Sequence, residues 1–201
     1  MKKIGIILLC VGIFLFLMKK EKQEIKNVDN KGQTVVAFGD SLSYGYGAGG
    51  QTKSYPFLLG QKINRAVINM GENGATAVSS LERLPDVLEQ DPYMVLIEFG
   101  GNDFMRGVDL EQTVKAIEKM VDDVQSSGAI AVVVDTGGYY GMKKYSKAYQ
   151  KIAQEKGAVF VKGILDGVFG KRGLMSDQIH PNAKGYEIVA DKVYGEIKDY
   201  L

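Results

Sequence analysis

The chain has a single cysteine and a single histidine in 201 residues. Cys10 alone excludes an intrachain disulfide and a cysteine-rich zinc site. His180 alone argues against a histidine-based metal centre. Charge of one sign is also missing. The 25 basic and 24 acidic residues leave a formal net charge of +1, and no basic tract runs through the body of the chain. Nucleic acid therefore has no electrostatic footprint to bind. Internal repeats and low-complexity segments are absent too. What remains is the balance of an ordinary globular protein, 45% hydrophobic and 24% charged, at a length that fits one domain.

The N-terminus stands apart. Residues 4–18 are an apolar run between Lys2-Lys3 and Lys19-Lys20. As a helix the run would span about 22 Å, short of a bilayer core of about 30 Å unless the lysines snorkel or the membrane thins. Residues 19–30 offer no small-residue processing site, and Cys10 lacks the small residues that precede a lipoprotein cysteine. We read residues 1–18 as an uncleaved signal-anchor, with a cleaved secretory signal as the alternative. Residues 19–32 are polar and aperiodic and read as a linker. A domain follows over residues 33–201.

Within that domain, short apolar runs alternate with helical patterns. The runs at 35–38, 66–70, 94–99, 129–134 and 158–161 each end at or near a glycine or aspartate, as buried strands do. Between them, Leu110, Val114, Ile117, Val121 and Val124 form an apolar stripe behind a capping-box pattern, Asp109 with Gln112. Weaker helical patterns cover 55–64, 77–90, 143–156 and 184–200. Such alternation implies an α/β fold, a parallel sheet covered by helices on both faces. Its chemistry belongs at the C-terminal edge of the strands.

Four segments carry candidate chemistry there. Gly39-Asp40-Ser41-Leu42 ends the first strand and can project a serine into the crevice. A helix starting at that point would offer free N–H groups and its positive end to a developing anion. Asn69 to Thr76, with Gly74, lets backbone approach a substrate. Gly100-Gly101-Asn102-Asp103 places an asparagine amide where it can donate to an oxyanion. Asp177-Gln178-Ile179-His180 puts a carboxylate three residues before the only histidine. There it can accept the Nδ1 proton and leave Nε2 free to act as a base. Each segment alone also reads as a turn. Ser43 is an alternative nucleophile, and Asp40 or Asp103 are alternatives to Asp177, although both are expected to bond within their own loops. Gly45, Gly47 and Gly50, with Glu72 further on, spell a dinucleotide-binding pattern, but Gly39-Asp40-Ser41 already occupies the strand-to-helix turn it requires.

Taken in order, the four segments resemble the conserved blocks of the GDSL/SGNH hydrolases, from about residue 34 to the end. Leu81 to Pro85 and the block from Val95 to Asp103 look like the bacterial thioesterase, lysophospholipase and arylesterase subgroup. Ala75 departs from the aspartate often found after the block glycine. The resemblance implies a flavodoxin-like, three-layer α/β/α fold with a five-stranded parallel sheet. It implies a carboxylic ester hydrolase with Ser41, His180 and Asp177 as catalytic residues and an oxyanion hole of the Ser41 N–H, the Gly74 N–H and the Asn102 side chain. No metal or organic cofactor and no obligate protein partner is expected. The expected substrate is a small ester or lysolipid, with deacetylation of a surface carbohydrate as the alternative reaction. A catalytically silent protein on the same fold is the remaining alternative. Tyr44, Tyr46, Tyr139, Tyr140 and Met142, in loops at the catalytic edge, are candidates for the substrate pocket. Together with residues 4–18, the bacterial resemblance places the domain outside the cytoplasm, tethered to the membrane or secreted.

Overall fold

The apolar runs become strands because both faces of each are covered. The computed structural model describes residues 23–201, apart from the side chain of Tyr140. The apolar run at 4–18 lies outside the described residues. Five strands, β1 (Thr34–Gly39), β2 (Val67–Asn69), β3 (Pro92–Glu98), β4 (Ile130–Val134) and β5 (Val159–Val161), form one sheet in the order β2-β1-β3-β4-β5. All neighbours pair in parallel. Successive side chains alternate between faces, as the pleat requires. Val36, Phe38, Val95, Ile97, Ala131 and Val133 point to one core, and Val35, Ala37, Met94, Leu96, Val132 and Val134 to the other.

The helices are α1 (Ser41–Tyr44), α2 (Tyr55–Ile63), α3 (Ala77–Ser80), α4 (Leu84–Leu88), α5 (Gly101–Met105), α6 (Leu110–Ser126), α7 (Lys143–Lys156) and α8 (Ala183–Ile197). α2 and α8 cover one face through Tyr55, Leu59, Tyr186, Val189 and Val193. α3, α4, α6 and α7 cover the other, where Ile117, Met120, Val121, Tyr149 and Ile152 are buried. The result is the expected three-layer arrangement. α6 carries the stripe read from the sequence, and Asp109 caps it by accepting the Glu111 N–H at 2.7 Å. Such a cap stabilises a helix by about 1 kcal/mol.

Two expectations change in detail. The helical pattern over 77–90 breaks into α3, a 3₁₀ turn at Leu81–Arg83 and α4. Pro85 has no N–H to give the Leu81 carbonyl, and the Leu84 N–H takes that carbonyl in the tighter turn instead. The segment read as a linker is, in its described part, laid against the domain. Gln23 donates from its side chain to the carbonyls of Ala153 and Ala158, Asn27 to those of Gln125 and Ala129, and Asn30 to that of Tyr93. These carbonyls lie at or near helix and strand ends, where asparagine and glutamine amides can add a donor to an oxygen with two lone pairs. The strap thus runs along the N-terminal edge of the strands, opposite the edge that carries the motifs. Among the described residues no helix is long and apolar enough to cross a membrane.

The chain leaves β1 toward β2 on one side, then returns to β3 on the other. That reversal opens a crevice beyond the C-terminal ends of β1 and β3. Gly71, in the loop after β2, approaches α1 so closely that a Cβ there would overlap the backbone of Ser43 and Tyr44. Glycine at this position lets the second motif pack directly behind the first.

Candidate active site

Ser41 is the first residue after the β1 turn. Asp40 caps the helix that starts there, its Oδ1 accepting the Leu42 N–H at 2.9 Å. α1 is a single turn, so it supplies oriented N–H groups rather than a sizeable dipole. The Ser41 hydroxyl lies 2.9 Å from His180 Nε2, across 139 residues of chain. His180 Nδ1 lies 2.8 Å from Asp177 Oδ2. The other oxygen of Asp177 accepts the N–H groups of Ile179 and His180, each at 2.7 Å. This one-turn curl is the local contact that the three-residue spacing implied. Slight burial pushes the Asp177 carboxyl up, but the backbone bonds from His180 and Ile179 and the bond and charge of the imidazole outweigh it and hold it below the usual range. The loop is closed below by the Ser176 N–H on the His180 carbonyl at 2.9 Å, and Asn182 caps α8 behind it.

On the other side of Ser41 lies Asn102, at the start of α5. Its amide donates to Asp40 Oδ2 and to the Ala75 carbonyl, both at 3.0 Å. Gly74 has φ +80°, a left-handed conformation that presents its N–H without strain. Among the described residues the N–H groups of Ser41 and Gly74 have no hydrogen-bond acceptor. Ala75 packs its methyl into the core, and its backbone still anchors Asn102, so its departure from the family pattern leaves the loop intact.

The alternatives are placed elsewhere. Ser43 is fully buried, its hydroxyl against Tyr55 and Glu98 rather than His180. Asp103 also bonds beyond its own loop; it accepts the Ala77 N–H at 2.9 Å and the Thr113 hydroxyl at 3.1 Å, tying α5 to α3 and α6. Asp40 caps its own turn as expected and holds Asn102 besides. Glu72, the acidic residue of the dinucleotide pattern, is paired with Arg83 at 3.0 Å.

A cavity of about 90 Å³ opens beside Ser41 and Asn102. Its walls are Phe104, Met105, Tyr139, Met142, Leu165, Phe169 and Ile179, with Thr136 at the β4 end. Tyr139 stacks on Phe169 with ring centroids 4.3 Å apart, and its hydroxyl donates to Asp166. Of the five pocket candidates, Tyr139 and Met142 line this cavity. Tyr46 instead packs its ring 4.6 Å from the His180 ring. Tyr44 faces solvent at the end of α1, because a one-turn helix swings it away from the crevice. The Tyr140 side chain lies outside the described structure. Sequence reasoning missed Phe104, Met105, Leu165, Phe169 and Ile179, which carry no polar signature. It also missed Glu98, the one charge in the apolar run of β3, where such a residue is a visible anomaly.

A five-stranded parallel α/β sheet with an aligned serine, histidine and aspartate at its C-terminal edge defines a hydrolase built for acyl transfer. The chain belongs to the GDSL-like lipase/acylhydrolase family, whose model matches residues 37–188. It is similar to the thioesterase 1/protease 1/lysophospholipase L1 of Escherichia coli K12, at 32% identity over 79% of this chain and 80% of that protein. It is also similar to an arylesterase of Vibrio mimicus, at 33% identity over 84% of this chain and 90% of that protein. Among solved structures, that of TesA superposes with a TM-score of 0.78 at 29% identity, covering 84% of this chain and 100% of the other. The psychrotrophic esterase EstA of a Pseudoalteromonas species, inhibited by monoethylphosphonate, does so with a TM-score of 0.74 at 30% identity over 84% and 98%. The protein is thus a carboxylic ester hydrolase of the SGNH type.

The geometry predicts the effect of removing the Asp177 charge. Asp177→Asn should lower kcat by about 10²–10⁴-fold with little change in KM, because the imidazole loses the acceptor that fixes its tautomer. The lowered pKa sets the sign for stability. The contribution of the carboxylate is present above the ordinary aspartate value of 3.8 and is lost as pH falls through the lower value in the folded state. Urea denaturation of both forms should show a gap at neutral pH that closes on acidification below 3.8.

Proposed function

We propose that the ester is cleaved through an acyl-enzyme on Ser41. The 2.9 Å contact between Ser41 Oγ and His180 Nε2 carries this reading. His180 takes the serine proton as Oγ attacks the ester carbonyl, and Asp177 stabilises the imidazolium. The oxyanion accepts from the N–H groups of Ser41 and Gly74. Both hydrogens of the Asn102 amide already have protein acceptors, so the oxyanion gains this third donor by sharing one of them. One such donor is worth about 2.7–4 kcal/mol of barrier. His180 then protonates the leaving group, and water activated by the same imidazole releases the acid.

The acyl group enters the cavity beside Ser41, whose walls are almost wholly apolar. A volume of about 90 Å³, below the roughly 300–1,000 Å³ of a drug-sized site, suits a short to medium acyl chain of an alkyl ester, aryl ester, thioester or lysophospholipid. The relatives named for thioesterase, lysophospholipase and arylesterase activities support this range. Apolar walls do not favour carbohydrate deacetylation, which would leave the cavity unfilled. We further propose that the domain works outside the cytoplasm of a bacterium, tethered by residues 4–18. The support is the apolar run between lysine pairs and a strap that enters the domain at the edge opposite Ser41.

Three measurements test these points. A fluorophosphonate probe should label the wild type and not Ser41→Ala; labelling of both would remove Ser41 as nucleophile. Across p-nitrophenyl esters from acetyl to palmitoyl, kcat/KM should rise by about fourfold per methylene while the chain still fits, from about 0.8 kcal/mol per buried methylene, and then fall. A maximum at acetyl would overturn the acyl-cavity reading. Fractionated cells expressing the full chain should hold the protein in the membrane with residues 1–18 attached, and a soluble product lacking them would refute the tether.

A further inference from the structure

Behind the oxyanion side of the site, two carboxyl groups meet in the core. Glu98 ends β3 and Asp40 follows β1, and they are 0% and 3% exposed. The Asp40 N–H bonds the Glu98 carbonyl at 3.2 Å, so the two residues are neighbours at the strand ends, and each carboxyl acts on the protonation of the other. Every other atom of the pair is accounted for. Glu98 Oε2 accepts the Ser43 hydroxyl at 3.0 Å. Having spent its proton there, Ser43 Oγ accepts from the Tyr55 hydroxyl at 2.9 Å. Asp40 Oδ1 accepts from the Leu42 N–H and Oδ2 from the Asn102 amide. Glu98 Oε1 alone is buried with no N–H or O–H directed at it.

Two adjacent carboxylates in this setting would repel each other strongly, and no lysine or arginine among the described residues forms an ion pair with either. An unpaired buried charge is among the most destabilising groups a core can hold. A single proton resolves the conflict. Asp40 already accepts two N–H donors, which favour its ionised form. Glu98 Oε1 lacks a donor, so it is the atom with room to become one. Burial pushes both carboxyls up, Asp40 to about 6 and Glu98, which also feels the Asp40 charge, well above its usual range.

We propose that Glu98 is a neutral carboxylic acid whose Oε1–H donates to Asp40, and that it is a positioning residue for the Asn102 amide. The first half stands on the buried pair alone; the second rests on the reading of Asn102 as an oxyanion donor. Glu98 touches no reacting atom. It fixes Asp40 Oδ2, which orients Asn102, and through Ser43 it fixes the turn that carries Ser41. Asp40 therefore serves two elements, α1 and α5, and needs a third bond on its remaining side to hold both.

Glutamine keeps the shape and hydrogen-bond pattern of a protonated glutamate, donating from Nε2 and accepting at Oε1. Glu98→Gln should therefore retain kcat within about fivefold of the wild type. Glu98→Leu, similar in size but without a donor, should lose about 10–100-fold in kcat at unchanged KM, the scale of a displaced oxyanion donor. The infrared spectrum of the wild type at neutral pH should contain a protonated-carboxyl C=O stretch that Glu98→Gln lacks. Absence of that band in the wild type would overturn the proposal, whatever the folding of the leucine variant. So would a glutamine variant as impaired as the leucine variant while Ser41→Ala is inactive, since the serine mechanism would then stand without this role for Glu98. Full activity in Ser41→Ala would instead remove the catalytic reading and leave the protonation state to the infrared band.

Discussion

The site hangs on the parallel pairing of β1 with β3. Its register sets Gly39 opposite Glu98, so the two strands end side by side. The Asp40 N–H bonds the Glu98 carbonyl, and the loops beyond diverge from a common point. From that register follow the contact of Asn102 with Asp40, the contact of Ser43 with Glu98 and the crevice between them. A slip of one residue would turn every side chain of β1 to the opposite core. Phe38 would leave the face where it packs edge-on against Phe99, with centroids 5.0 Å apart. The same slip would carry Asp40 away from Asn102. Core packing and active-site alignment are therefore enforced by one set of backbone bonds.

The carboxyl groups of this site are pushed in opposite directions by their surroundings. Asp177 is 44% exposed in its side chain and collects two backbone N–H groups and the imidazole, which keep it ionised. Asp40 and Glu98 lie buried behind Ser41, where ionising both is too costly. The same functional group, a carboxyl, thus supplies a charged partner for histidine in Asp177 and a proton-bearing strut in Glu98. Burial and the supply of donors decide which.

How much was legible in the sequence follows from the range of each interaction. The strands announced themselves because a two-sided core needs continuous apolar runs, as in residues 94–99. The bond from Asp177 to His180 was legible because three residues close it. Ser41 and Asn102 could be ranked by their place after strands and by resemblance to known blocks. The cavity was not legible in the same way. Phe104, Met105, Leu165 and Phe169 come from separate loops, and nothing in their local sequence says that they converge. Tyr44 and Tyr46 looked equally suited to it, but the single turn of α1 sends one to solvent and the other over His180. Pro85 marks the interruption of the helical pattern over 77–90, because it lacks the N–H that a continuous helix needs there. The strap at residues 23–30 looked like a linker because its holding groups are asparagine and glutamine amides rather than apolar side chains.

That strap has a mechanical consequence. A pull on the N-terminus first loads the amide bonds of Gln23, Asn27 and Asn30, which sit one after another along the line of the chain. Bonds in that arrangement peel in sequence, and each releases slack before the next is strained. Behind them β1 begins at Thr34, and the force would have to travel its full length before it reached Ser41. The strap acts as a strain relief, and the alignment of serine and histidine at the far edge is shielded from tension applied ahead of residue 23.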